Sequence, residues 1–362
     1  MDIERDIYFM SRALSLAEKG RGTASPNPMV GAVVVRDGII VGQGYHRKAG
    51  EGHAEVIALR EAGEEARGAT LYVTMEPCCH HGKTPPCTDA ICESGIKRVV
   101  SAIKDENPVI CGRGFAHLRE KNIETAVGVL EDRARKLNES YLKYITRRIP
   151  FVTLKLAMTL DGRIADSRGK SKWITGPGTR KHVHLMRSWS DAVMVGVGTV
   201  LADNPSLTVR DVEGTNPLRV ILDSRLDTPP DAQVAADSNV IIATTELADE
   251  TRLASFKENG IEVMICDARN ERVSVSSLLR KLGEREITSV LCEGGGILAA
   301  TLFLERLVDK VVFTVAPKIL GSGTNAFENI GVDCLDNAVV IKDKEVELIG
   351  DDIIITGYPE YK

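Results

Sequence analysis

Gly52-His53-Ala54-Glu55-Val56 and Glu76-Pro77-Cys78-Cys79-His80-His81-Gly82-Lys83-Thr84-Pro85-Pro86-Cys87 are the two stretches that decide how this chain folds. The first opens a segment of helical composition, His53 to Ala62. The second follows a β-branched run, Thr70 to Thr74, and leads into a helical segment, Thr88 to Glu93. Delivered from a helix start and a strand-to-helix loop, His53, Cys78 and Cys87 can meet at one point. One imidazole and two thiolates suit Zn²⁺, and three protein ligands leave the fourth tetrahedral position to water. Zinc lowers the pKa of such a water from about 15.7 towards about 7, so a nucleophile for an electrophilic ring carbon exists at neutral pH.

Glu55 lies two residues past His53. It is suited to take the water proton and return it to departing ammonia, the shuttle role of the non-ligand glutamate in zinc deaminases. A lone His-x-Glu would be an ordinary surface helix; the joint pattern predicts a metal-dependent hydrolase. Cys79, His80 and His81 are rival ligands by position. Adjacent thiolates rarely reach one tetrahedral metal, so Cys79 is read as packing, and His81 is left unassigned. His80 and Lys83 are read as substrate contacts, Lys83 as a point charge for an anionic group. Asn27, between Pro26 and Pro28, carries an amide able to read a heterocycle's edge, and His46 at the end of a hairpin is similar.

Working outward, Ile3, Ile7, Met10, Leu14 and Ala17 have helical spacing before Gly20. Met29 to Val35 and Ile39 to Tyr45 read as a hairpin about Arg36-Asp37-Gly38. Val99 to Ile103 is a further strand, and Glu131 to Thr146 a helical stretch. Arg147-Arg148-Ile149-Pro150 interrupts the pattern, which places a domain boundary between residues 147 and 148. Beyond it, Phe151 to Leu156, Ala192 to Val195, Leu218 to Leu222, Val240 to Thr244, Val263 to Ile265, Ser289 to Cys292 and Lys310 to Val315 read as strands with helical patterns between several of them. Both halves are therefore α/β. Gly196-Val197-Gly198 and Gly294-Gly295-Gly296 are strand-to-helix turns compatible with a nucleotide phosphate. Leu201 stands where a dinucleotide fingerprint needs glycine, so Asp223 carries little weight as a ribose-binding acid. Residues 231–285 have no usable signature.

A chain of 362 residues, 43% hydrophobic, is long enough for two globular domains. Net charge of −5 and 4% aromatic residues argue against a nucleic-acid-editing deaminase, which needs a basic or aromatic track. The start of the chain lacks a basic-then-apolar signal and no apolar run reaches membrane-span length, so a soluble cytoplasmic protein with small-molecule substrates is expected. Five of eight cysteines and five of seven histidines lie in the first 150 residues, which clusters the metal chemistry there and speaks against a disulfide framework. A purely structural zinc site would need a fourth protein ligand.

These residues resemble the cytidine deaminase-like superfamily. The eight-residue gap between Cys78 and Cys87, with Gly-Lys-Thr-Pro-Pro-Cys, and Ser25-Pro26-Asn27-Pro28-Met29-Val30-Gly31 narrow the resemblance to the diaminohydroxyphosphoribosylaminopyrimidine deaminases of riboflavin biosynthesis. In that family the deaminase is commonly fused to an NADPH-dependent reductase of dihydrofolate reductase-like fold. Leu154-Lys155-Leu156-Ala157, Leu160-Asp161-Gly162-Arg163, Ser171-Lys172-Trp173-Ile174-Thr175, Ala202-Asp203-Asn204-Pro205, Leu207-Thr208-Val209-Arg210 and Ala316-Pro317-Lys318 are similar to the reductase pattern. The resemblance implies a cytidine deaminase-like domain over 1–147 and a reductase domain over 148–362. It implies that Ala157, Trp173, Thr199, Asp203 and the turn Gly295, Gly296, Ile297, Leu298, Ala299, Ala300, Thr301 contact NADPH. Ser171, Arg187, Leu207, Arg210 and Glu293 would contact substrate, with both arginines as candidate phosphate clamps and Glu293 as acceptor for pyrimidine N–H groups. Lys155, the charged residue of an apolar strand, is expected to point into the site and assist protonation as hydride arrives, with Asp203 as its partner. Proteins of this kind commonly self-associate, as a dimer or tetramer. The competing enzyme reading is a deaminase of another heterocycle fused to an unrelated oxidoreductase.

Overall fold

Strand residues alternate between two apolar faces, and this alternation builds the first three-layer unit. In the computed structural model, which describes residues 3–82 and 85–361, the chain divides between Arg148 and Ile149 into two units. The first contains α1 Ile3–Ala17, β1 Gly31–Arg36, β2 Ile39–Tyr45, α2 Ala54–Ala62, β3 Thr70–Met75 and α3 Cys87–Glu93. It continues with β4 Arg98–Ile103, α4 Arg113–Glu120, β5 Glu124–Val127, α5 Glu131–Leu137 and α6 Glu139–Arg147. The sheet order is β2-β1-β3-β4-β5, antiparallel through β3 and parallel beyond it. Val33, Val35, Tyr72 and Val100 face α1, α5 and α6, while Ala32, Val34, Leu71 and Val73 face α2 to α4. The hairpin turn is left-handed at Asp37 (φ 50°) and Gly38 (φ 85°), as an Asp-Gly tip requires.

The single helix expected over Glu131 to Thr146 is two. Asn138 leaves helical geometry, and its side chain accepts from Met29 N at 2.8 Å and donates to Met29 O at 3.0 Å. A polar side chain that satisfies strand-entry backbone outcompetes helix continuation here.

The second unit contains β6 Phe151–Thr159, β7 Arg163–Ala165, α7 Pro177–Trp189, β8 Ala192–Gly196, α8 Val197–Asp203 and β9 Leu218–Leu222. Then come β10 Val240–Thr244, α9 Glu250–Glu258, β11 Glu262–Ile265, β12 Ala268–Arg269, β13 Arg272–Val273 and α10 Val275–Glu284. The unit ends with β14 Ser289–Cys292, α11 Gly296–Leu304, β15 Lys310–Ala316, β16 Thr324–Asn325, β17 Val340–Ile349 and β18 Asp352–Glu360. Its main sheet runs β11-β10-β9-β8-β14-β6-β15-β18-β17, parallel except for the last two strands. That terminal hairpin was not read from the sequence, because β17 is exposed along most of its length and charged residues interrupt its apolar alternation. It has a structural task. Asp352 accepts from Gly176 N at 2.7 Å and Thr179 Oγ1 at 2.6 Å, capping the N-terminus of α7, whose own cap residue Gly176 has no side chain to do so.

One buried ion pair ties the first unit together. Asp6 of α1 accepts from Arg98 Nη1 and Nη2 at 2.9 and 2.8 Å and from the Tyr72 hydroxyl at 2.7 Å. The Arg98 hydrogen bonds hold the Asp6 carboxyl below its ordinary range. Its contribution is therefore present above the unfolded carboxylate pKa and is lost as pH falls through the lower folded value. Asp6→Ala should destabilise this unit by about 3 kcal/mol in urea unfolding near neutral pH, with the difference from wild type shrinking in acid. Asp352→Ala should cost about 1 kcal/mol through its lost cap.

Candidate functional site

In the first unit, three ligand atoms converge because two close packings force them together. Gly42 and Gly44 let α2 lie on β2: a Cβ at Gly42 would stand 2.2 Å from Ala58 O, and one at Gly44 2.6 Å from Ala54 O. This seats His53 at the cap position of α2, while Cys78 leaves β3 by its loop and Cys87 starts α3. His53 Nδ1 lies 3.1 Å from Cys87 Sγ and 3.5 Å from Cys78 Sγ, and all three ligand atoms fall within 4.8 Å of one another. A tetrahedral ion with Zn–S of about 2.3 Å and Zn–N of about 2.0 Å needs ligand separations of roughly 3.5 Å, so the donor set and its spacing fit zinc. Among the described residues no other His, Cys or carboxylate group joins this cluster, which leaves the fourth position open. The Cys87 amide donates to Cys78 Sγ at 3.3 Å. Hydrogen bonding from Cys87 and His53 pulls the Cys78 thiol down to about 4, while the Cys87 thiol is pushed up by its bond to Cys78 and by burial.

Glu55, in the first turn of α2, is 3% exposed, and burial raises its carboxyl to about 7. Asn27 Nδ2 contacts His46 Nε2 at 3.0 Å, and His46 Nδ1 faces Gly52 O at 3.3 Å. His46 is 2% exposed and its ring packs edge-on against His53 at 5.2 Å. With both ring nitrogens engaged, His46 braces Asn27 and the His53 segment. Among the described residues the buried Nδ1 of His80 has no partner, as a ligand-facing imidazole would have. His81 is exposed, and Lys83 lies outside the described residues.

In the second unit, a cavity of about 1210 Å³ opens at the carboxyl ends of β6, β8 and β14, where ligands of parallel sheets bind. Lys155, Ala157, Ser171, Trp173, Thr199 and Asp203 line it, as do Arg187, Leu207, Arg210, Glu293, the stretch 295–298 and Thr301. Ala299 and Ala300 do not: both are buried, Ala299 in the core, because consecutive residues of α11 cannot all face one side. Leu207 lines the cavity and is also part of a core cluster.

Arg187 Nε and Nη2 meet Glu293 at 2.6 and 2.9 Å, and Nη1 donates to Thr208 O at 3.1 Å. Its guanidinium is thus committed to Glu293 and Thr208, and Arg210, exposed and bonded to the Ser206 and Thr208 hydroxyls, is the freer phosphate clamp. Burial lowers the Lys155 ammonium's pKa, with Glu293 opposing that shift and Arg187 adding to it. Asp203 was expected beside Lys155; instead its Oδ1 accepts from Ser171 Oγ at 2.7 Å, and its backbone carbonyl from Lys172 Nζ at 2.8 Å. Asp223 is spent internally, accepting from Asp227 N, Thr228 N and Thr228 Oγ1. Sequence reasoning missed Arg180, stacked 4.5 Å over Trp173, and His184, although Arg180, His184 and Arg187 share helical i, i+4, i+7 spacing.

The cavity's glycines suit a dinucleotide. A Cβ at Gly196 or Gly198 would meet nothing within 4 Å, and Gly295, the cap residue of α11, has no side chain to cap the helix, whose first residues line the cavity.

Residues 150–355 match the RibD C-terminal domain, and residues 3–103 the zinc-binding region of cytidine and deoxycytidylate deaminases. The riboflavin biosynthesis protein RibD of Aquifex aeolicus is 46% identical over 353 residues, 97% of this chain and 98% of its own. The solved RibD of Acinetobacter baumannii has a TM-score of 0.90 at 37% identity, covering 99% of this chain and 100% of that one. The diaminohydroxyphosphoribosylaminopyrimidine deaminase/5-amino-6-(5-phosphoribosylamino)uracil reductase of Thermotoga maritima has a TM-score of 0.88 at 42% identity, with coverage of 99% and 100%. Relatives of this identity along both units, carrying the ligand triad and the glycine-lined cavity just described, establish that the chain belongs to the RibD family of bifunctional deaminase–reductases of riboflavin biosynthesis.

Proposed function

We propose that the chain performs two consecutive steps on one phosphoribosylated pyrimidine. The first unit hydrolyses the C2 amine of 2,5-diamino-6-hydroxy-4-(5-phosphoribosylamino)pyrimidine. The second reduces the ribosyl side chain of 5-amino-6-(5-phosphoribosylamino)uracil to ribityl with NADPH. The observation that carries this reading is the convergence of His53, Cys78 and Cys87 beside the buried Glu55.

His53, Cys78 and Cys87 would hold zinc, which when bound supplies an acidified water as nucleophile. A carboxyl raised to about 7 exchanges its proton readily at neutral pH, so Glu55 takes the water proton and returns it to the leaving amine. The Asn27 amide and His80 orient the heterocycle. In the second unit, the open amides at the start of α11 would hold the phosphates of NADPH, which supplies the hydride. Lys155 donates a hydrogen bond to the sugar oxygen whose protonation accompanies reduction, and its lowered pKa makes it the better proton donor. Arg210 holds the ribose phosphate. The same reading carries residence in the cytoplasm and assembly into a dimer or tetramer; Val346 and Leu348, exposed on edge strand β17, support self-association, which sedimentation velocity would measure. Among the described residues no helix is long and apolar enough to cross a membrane.

A coupled assay tests the two sites separately: ammonia release from the diaminopyrimidine, then NADPH oxidation with the deaminated product supplied. Glu55→Gln should retain its zinc and its reductase rate while ammonia release falls by about 10²- to 10⁴-fold. Undiminished ammonia release would remove Glu55 from the mechanism; release from a different heterocycle alone would remove the substrate. Lys155→Ala should lower reductase kcat by about 10²-fold, and an unchanged kcat would end its proposed role. Arg187→Met leaves the Glu293 carboxylate buried without its partner and should cost about 3–5 kcal/mol in urea unfolding of this unit. Arg187→Met/Glu293→Met should recover most of that stability while reduction stays impaired.

A further inference from the structure

We propose that Arg272 reads the 2′-phosphate of the dinucleotide and so makes the second unit selective for NADPH over NADH. This inference rests on the reductase reading above. The cavity of about 1210 Å³ exceeds the roughly 300–1,000 Å³ of a single small-ligand site, which leaves room for a dinucleotide beside the pyrimidine. From the glycine turns its wall continues to Ser224, just past the end of β9, and to Arg272 and Val273 of the β12–β13 hairpin. A second hollow of about 360 Å³ shares Val197, Ser224 and Arg272 with it. The dinucleotide's phosphates belong at the start of α11, so the adenosine end has this arm of the cavity to occupy.

The charges around that arm decide which adenosine it takes. NAD sites commonly present a carboxylate to the ribose 2′-hydroxyl, whereas an arginine nearby accommodates the 2′-phosphate of NADP. The acid in the corresponding place, Asp223, is fully buried and its oxygens are filled by Asp227 N, Thr228 N and Thr228 Oγ1. The other acids of the second hollow have partners too: Asp227 faces Arg252 at 3.7 Å and Glu271 faces Arg225 at 3.2 Å. Arg272 remains. It is exposed, and among the described residues its guanidinium has no hydrogen bond and no acidic partner. It is also held in place, because the Val273 amide donates to Ser224 Oγ at 3.0 Å and pins the hairpin to the end of β9. Asn270 and Glu271, both at positive φ, form the hairpin tip that turns Arg272 back towards this junction. An unpaired guanidinium on an anchored strand, beside an acid whose oxygens are already filled by hydrogen bonds, is an arrangement that favours a phosphate monoester over a hydroxyl.

The test uses the full-length chain and two fragments, adenosine 2′,5′-bisphosphate and 5′-AMP, titrated calorimetrically, so that binding is read without turnover. Wild type should bind the bisphosphate more tightly than 5′-AMP. Arg272→Gln should weaken the bisphosphate by about 10- to 100-fold, the range of a charge-assisted contact, and Arg272→Lys should restore part of the loss. The ratio of kcat/KM for NADPH to that for NADH should fall by a similar factor in Arg272→Gln. Equal binding of the two fragments by wild type, bisphosphate binding unaltered by Arg272→Gln, or a parallel loss with both dinucleotides would overturn the assignment. If wild type oxidises neither dinucleotide with the deaminated substrate, the reductase reading fails on that result, and the fragment titrations still decide Arg272.

Discussion

Parallel strand pairing is the constraint on which both sites depend. In the second unit Cys292 pairs with Leu154 on one side and Met194 on the other, so the next residues, Glu293 and Lys155, emerge side by side. The Glu293 amide still reaches Met194 O at 3.0 Å before the chain leaves the sheet. A cation, an anion and two glycine turns distant in sequence are thereby brought to one edge. The first unit repeats the logic: Met75 pairs with Ile103 in parallel register, Glu76 N donates to Ile103 O at 3.0 Å, and the ligand loop begins immediately afterwards.

Two glutamates near the metal ligands illustrate how surroundings separate chemically identical groups. Glu76 is buried but accepts hydrogen bonds from the backbone amides of Asp105, Gly112, Gly114 and Phe115, which bind the root of the ligand loop to the start of α4. Glu55 takes hydrogen bonds from its own backbone amide and from Cys87, and burial outweighs them, raising its carboxyl to about 7. The first side chain is architectural, and the second is the one proposed to carry the proton. Glu293 is a third case, buried and balanced by the bidentate Arg187.

The first unit was legible because its elements are short and strongly patterned. The Asp-Gly hairpin, the His53 helix and the loop closing on Cys87 all lie where local chemistry places them. The second unit was legible in its apolar strands and glycine turns but less so in its walls. Helix α7 has no apolar run to announce it, and its useful face is the polar row Arg180, His184, Arg187. The hairpin carrying Arg272 is two residues per strand, too short for periodicity to register. The exposed β17 carries only a broken apolar alternation, interrupted by Lys342, Asp343 and Lys344, although Asp352 beside it caps α7.

By itself the sequence determined the zinc-type donor set, the acid beside it that we propose as proton carrier, and the α/β character of both halves, since these follow from residue chemistry and periodicity over a few neighbours. Only the tertiary structure decided how those groups are spent. His46 turns inward to brace Asn27, Arg187 is taken by Glu293, Asp203 pairs with Ser171 instead of Lys155, and Ala299 and Ala300 are buried and do not line the cavity. The physical reason is that a side chain's partner depends on which atoms the fold places within about 3 Å of it. For residues more than a hundred positions apart, such as Arg187 and Glu293, strand register and helix packing set that distance.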